Sequence, residues 1–321
     1  MTHMPRDRVE RLLPALLTAL FLLGIGGYVA WRSSAHREAQ AMQGAQAAKP
    51  AAARARLPAH PAPLPGARVV ETAHYAITSS ADDEQTLRVG DAVEALHAAY
   101  LAWFPQVAPR AADAPKLRLT LYARKGEFQA NNRSSPWAEA YYLAPVSYAY
   151  YAKDGANPYH WMLHEATHQL NNEVARFPKT KWIEEGLGTY FGASRIVGGR
   201  LRPGEIDGDA YPIWWLDRTE LSGDLDADIA AGQWIPIRAL ITGRDAPSIH
   251  SHVNRYYVQY WSLTHFLFHG DGGRHADAYR RLIAEGGTLE NFERLIGPAD
   301  RIERDWYRHL QARIAESASR N

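Results

Sequence analysis

The sequence contains no cysteine. That absence excludes a disulfide framework, a cysteine nucleophile and thiolate metal sites, so a metal ion here must be held by histidine and carboxylates. It also suits an oxidising compartment. Excess charge of one sign is missing too: 36 Lys and Arg stand against 35 Asp and Glu, a formal net charge of +1. A nucleic-acid binder usually presents a basic face, and this balance gives no case for one. There is no internal repeat, and no serine sits in a nucleophile elbow. Apolar groups are not lacking: 46% of the residues are hydrophobic, with 10 Trp and 17 Tyr. A disordered chain carries far fewer aromatics. The 321 residues suffice for one large domain or two small ones plus appendages.

Long uncharged runs are absent except for one, "LLPALLTALFLLGIGGYVAW", from Leu12 to Trp31. At about 1.5 Å per residue it is long enough for a hydrocarbon core of about 30 Å. Arg6, Arg8 and Arg11 precede it and favour a cytoplasmic N-terminus. The expectation is a single transmembrane signal-anchor over 12–31 behind a basic segment 1–11. The remainder would then lie in the periplasm or outside the cell, on a bacterial inner membrane. The alternative is a cleaved signal peptide and a secreted protein, for which the apolar core is long. Residues 32–66 are rich in Ala, Gln and Pro and offer little to bury, which reads as an extended linker. The folded unit is expected over 67–321.

Within it, "RVVETAHYAITSS" has the β-branched and aromatic content of one or two strands. Leu87, Val89, Val93, Leu96, Tyr100 and Phe104 recur at helical intervals. "KLRLTLYAR" alternates as a half-buried strand, and "EAYYLAP" with "VSYAYYA" reads as a strand pair around Ala144-Pro145. Beyond residue 155 the pattern is helical, with helices expected over 158–175, 182–195, 250–269, 274–285, 288–296 and 298–317. Residues 197–249 read as loop and short helix. A small sheet in the first half and mainly helices in the second make an α+β domain.

The chemistry concentrates in "HEATHQLNNEVARFPKTKWIEEGLGTYF", residues 164–191. Asn157-Pro158 reads as a helix start. On that helix His164 and His168 stand one turn apart and share a face, so two imidazoles can meet one Zn²⁺. Glu165 sits at the neighbouring angle, able to reach a water rather than the metal; this is the physical content of His-Glu-x-x-His. Two histidines on a helix face are often only packed or solvated. Here Trp161, Met162, Leu163 and Leu170 argue that the helix is buried, and buried histidines and a carboxylate need partners. His160, a turn earlier, is a further candidate ligand, though helices rarely give three ligands to a tetrahedral ion. A third ligand is expected from "WIEEGLGTYF", where Gly186 and Gly188 allow close approach. Helical phase does not choose between Glu184 and Glu185.

His-Glu-x-x-His-Gln followed by Trp-x-x-Glu-Gly resembles the gluzincin metallopeptidases, most closely the bacterial peptidase MA-like domains. "WIPIRALI" and "YYVQYWSLTHFLFHG" look like that family's downstream pattern. The resemblance covers about residues 68–285 and implies a zincin-like domain and a single Zn²⁺ held by His164, His168 and Glu185. It further implies Glu165 as general base acting on a peptide or protein substrate. The wider family places an oxyanion-steadying tyrosine on a later helix, which falls on Tyr257, with Tyr256 and Tyr260 as alternatives. The aminopeptidase motif Gly-x-Met-Glu-Asn is missing, so amino-terminal recognition is not implied. The rival reading is a non-catalytic, metal-stabilised peptide-binding or envelope assembly module. Elsewhere, "DGDAY" and "SGDLDADIA" lack calcium-loop spacing. His250 and His252 read as surface residues, and Trp214 and Trp215 as a packed lid.

Overall fold

The computed structural model describes residues 60–153 and 157–318. Its contacts divide the chain into two units, the second being His60–Asn132 with Ala138–Asn321. Every element that positions the site lies in the second.

That unit is α+β. Strands β1 (Arg68–Glu71), β2 (Tyr75–Ser79), β3 (Leu117–Tyr122), β4 (Ala140–Leu143) and β5 (Val146–Tyr150) form one sheet in the order β1-β2-β3-β5-β4. The central pairs β2–β3 and β3–β5 are parallel; the outer pairs are antiparallel. Helix α1 (Asp83–Trp103) follows β2, its start capped by the Asp82 side chain on the amide of Gln85. Its face of Val89, Val93, Leu96 and Tyr100 is buried as the spacing predicts, whereas Leu87 is exposed. A short α2 (Lys125–Asn131) precedes β4.

Helix α3 (His160–Gln169) lies on the sheet and carries His-Glu-x-x-His. Two side chains pin it there: Ser147 Oγ donates to the Glu165 carbonyl at 3.0 Å. Gln169 Nε2 donates to the carbonyls of Arg118 and Pro145 at 3.0 and 2.8 Å. The helix continues as a π-turn, Leu170–Ala175, ended by Arg176 with φ of 55°. Then come α4 (Lys181–Gly192), the hairpin β6 (Ser194–Val197) and β7 (Arg200–Ile206), a 3₁₀ turn (Ile213–Arg218), α5 (Leu225–Ala230) and α6 (Ile237–Thr242). The chain closes with α7 (Val253–His269), α8 (Ala276–Glu285), α9 (Leu289–Leu295) and α10 (Ala299–Ala318).

The structure corrects three expectations. The fold class, an α+β domain carried on a transmembrane helix, reduces to the α+β domain: among the described residues no helix is long and apolar enough to cross a membrane. The segment 12–31 lies outside the described residues. Second, residues 194–206 are a β-hairpin rather than helix end and loop, closed by Gly198 and Gly199, both at positive φ. Third, Asn157 does not cap α3; its amide donates to Asp207 Oδ2 at 3.1 Å, drawn off by a carboxylate distant in sequence.

Helices α7 and α10 are joined by a partly buried imidazole pair, His265 Nδ1 with His309 Nε2 at 2.9 Å. Burial, then the charge of neighbouring His269, holds His265 down at about 3. Burial, then Arg313, holds His309 at about 4. In the unfolded chain both take up protons near pH 6.5, about the ordinary histidine value. The fold resists that uptake, so its stability is complete above about pH 6.5 and falls as pH drops towards 4. Thermal melts at pH 7.5 and 4.5 should show this loss, and His309→Gln should flatten it. An unchanged slope in that variant would show that the pair does not govern acid sensitivity.

Candidate metal centre

The site forms where α3, α4 and α7 converge, and three glycines of α4 set how closely. A Cβ on Gly186 would lie 2.2 Å from Thr264 Oγ1 and 3.1 Å from the Tyr260 carbonyl of α7. A Cβ on Gly192 would lie 3.2 Å from the His160 carbonyl of α3. Gly188 faces the site itself: a Cβ there would be 2.9 Å from His164 Cε1 and Nε2. Only hydrogen at these positions lets α4 approach both neighbours.

This packing brings Glu185 against the two histidines of α3. His164 Nε2 and His168 Nε2 are 3.1 Å apart, and Glu185 Oε2 lies 3.4 Å from the first and 3.8 Å from the second. One ligand atom from each residue falls within 4.8 Å of the others, the one such group of His, Asp or Glu among the described residues. His164 is buried, while His168 and Glu185 are partly exposed.

A divalent cation fits these residues. Glu185 Oε2 is buried with no hydrogen bond of its own, and such an acceptor is costly unless something satisfies it. Gly188 leaves the space in which the His164 ring stands. Two nitrogens and one oxygen suit zinc, with a fourth position left for water or substrate. The electrostatics agree. Although burial opposes it, His164, then His168, hold Glu185 down at about 2, ionised across the whole working range. Burial also opposes the rise at His164, which the Glu185 carboxylate and then Glu165 produce. Burial, then the charge of His164, pushes His168 down to about 4, which keeps its imidazole neutral near pH 7.

Glu165 stays outside this group. It is 6% exposed, and burial, assisted by Glu185 and opposed by His164, lifts its carboxyl to about 7. The backbone N–H of Tyr142, on edge strand β4, is directed at it. A carboxyl poised near neutrality is what proton transfer needs. From α7, the Tyr257 phenol faces the Glu185 carboxylate, and burial, then that charge, raises it well above the ordinary value. Its ring lies 6.1 Å from that of His164.

Of the residues singled out from sequence, His164, Glu165, His168, Glu185 and Tyr257 are thus brought together. Glu184 lies outside the ligand group, its carboxyl raised by burial and only tempered by Lys179. His160 falls outside the ligand group; its Nδ1 donates to the Asn157 carbonyl at 2.6 Å. Tyr256 donates to the Pro247 carbonyl instead, and Tyr260 packs on Tyr257 at 6.1 Å. His252 Nδ1 meets the Ser248 carbonyl. Asp224 and Asp228 of the acidic stretch cap a helix and bind Ser222 and Tyr307, a structural use. Sequence reasoning missed Trp161, Tyr142 and Tyr211 as neighbours of the site. For Trp161 a signal existed, since it precedes His164 and Glu165 by one helical turn.

Gly188→Ala isolates the geometry. Alanine favours the helix by about 0.8–1.0 kcal/mol over glycine, so the fold should persist. Its methyl would force the His164 ring aside, and zinc affinity measured against a chromophoric chelator should fall at least about tenfold. Unchanged affinity would mean that His164 does not bind through this position.

Residues 161–285 match the model of a family described as a protein of unknown function, DUF1570. No curated protein matches the chain. The matched stretch contains all five converging residues, and the description attached to it assigns no activity.

Proposed function

We propose that this chain is a zinc-dependent metallopeptidase of the gluzincin kind, hydrolysing peptide bonds with Glu165 as general base. One observation carries the reading: a buried carboxyl, Glu165, stands beside a histidine–histidine–carboxylate group without joining it. A purely structural metal site has no use for such a group, which disfavours a non-catalytic module.

His164, His168 and Glu185 would hold the ion. When bound, zinc supplies a Lewis acid that polarises a carbonyl and makes water a better nucleophile near neutral pH. Glu165 accepts the proton released as water attacks and returns it to the departing amine. The Tyr257 phenol, kept protonated by burial and by Glu185, donates to the oxygen that gains charge. One such donor is typically worth about 2.7–4 kcal/mol. Strand β4 ends the sheet, and an extended peptide can add to such an edge. Its Tyr142 brings that edge to Glu165.

The test is hydrolysis of a broad peptide library by the purified chain as isolated, after chelation, and after zinc is restored. Cleavage that is lost with chelation and recovered with zinc supports the proposal. A zinc-loaded chain that cleaves none of the library favours the binding-module reading.

A further inference from the structure

An aromatic shelf runs outward from the metal centre. Trp161 lies on α3 one turn before His164 and Glu165, hence on their side of the helix. Its ring is 5.3 Å from Tyr211 and 6.2 Å from Trp214, and Tyr211 lies 5.8 Å from Trp214. Tyr211 also contacts Tyr257 at 5.4 Å, which joins the shelf to the oxyanion donor. Rings this close should bury one another, yet Trp161 and Tyr211 are only partly covered and Trp214 is 37% exposed, one of four exposed large hydrophobics among the described residues.

Two of the three rings, Trp161 and Tyr211, are held in place by their polar tips. The Tyr150 phenol partners the Trp161 indole and itself donates to Glu139 at 2.7 Å, which pairs with Lys125 at 2.6 Å. Tyr211 donates to Asn254 Oδ1 at 3.1 Å. Among the described residues no Lys or Arg stands over any of the three rings, whereas Arg218 covers the adjacent Trp215 at 4.8 Å. Partly exposed and without a cation over them, these faces suit a flat neutral partner, since offset and edge-to-face ring contacts add to simple burial.

Resting on the peptidase reading, we propose that Trp161, Tyr211 and Trp214 form the specificity surface of this site, taking an aromatic side chain of the peptide beside the scissile bond. Tyr211 and Trp214 act on binding and orientation; neither touches the reacting atoms.

Binding separates this proposal from the reaction. The zinc-loaded Glu165→Gln chain is titrated with N-acetyl-phenylalaninamide, N-acetyl-alaninamide, N-acetyl-lysinamide and N-acetylglucosamine, followed by ligand-observed NMR. The phenylalanine amide should bind about tenfold tighter than the alanine amide, the size that one or two good ring contacts give. Trp214→Ala should erase the difference and Trp214→Phe restore most of it, which distinguishes lost stacking from a damaged fold. Equal binding of the two amides, tighter binding of the lysine amide or the sugar, or indifference to Trp214→Ala would overturn the shelf. Aromatic preference in binding with no peptide cleaved by the wild-type chain would sink the peptidase reading and leave the shelf standing.

Discussion

Glu165→Gln should retain zinc near one equivalent and lose peptide hydrolysis by about 10²–10⁴-fold, the usual worth of general acid–base catalysis. Glutamine keeps the size of the side chain and its ability to accept the Tyr142 N–H, but it cannot take up a proton. The structure supports this separation of roles. Glu165 lies beside the ligand group yet outside it, so its loss removes no coordinating atom. Its carboxyl, lifted to about 7 chiefly by burial, is also the group best matched to exchange a proton near neutral pH. Elemental analysis and initial rates on the same preparation check both halves. A variant that loses its metal makes Glu165 structural, and one that keeps metal and activity assigns the base elsewhere.

Glu185→Gln should weaken zinc retention by more than the roughly 10–100-fold typical of an outer-sphere partner, with Glu184→Gln close to wild type. The two residues are adjacent and of one type, so only placement distinguishes them. Glu185 Oε2 lies 3.4 and 3.8 Å from the two imidazole nitrogens, whereas Glu184 is outside the group. The amide replaces an anion held at about 2 by a neutral group, removing most of the attraction for a dication. Competition titrations with a chelator of known affinity measure the difference. Comparable losses in both variants, or a larger one at Glu184, would reassign the third ligand.

What the sequence discloses depends on how local the cause is. The two histidines are legible because helical periodicity alone places them on one face. Strands β3, β4 and β5 are legible from alternation and from the break at Ala144-Pro145. The choice of Glu185 over Glu184 is not local: it follows from the rotation of α4 against α3 and α7, set by Gly186, Gly188 and Gly192. Spacing suggests that Gly186 and Gly188 permit approach but cannot say to what. The β6–β7 hairpin did leave a signal, since "RIV" and "RLR" flank Gly198-Gly199, a pair suited to a tight turn. The surrounding Gly- and Asp-rich composition obscures it. Asn157 looks like a cap because only nearby amides enter a sequence argument, and Asp207 is a long-range competitor. Trp161 and the Tyr211–Trp214 segment come from separate parts of the chain, so their meeting beside Tyr257 is a property of packing alone.

The central claim is that His164, His168 and Glu185 hold one zinc ion. Its most direct test is elemental analysis of the purified chain beside a His164→Ala/His168→Ala variant, with circular dichroism of both. About one zinc per chain in the first, none in the second, and matching helical signals are the predicted result. A folded wild-type chain that takes up no divalent ion, or a double variant that binds it as well as wild type, would contradict the account.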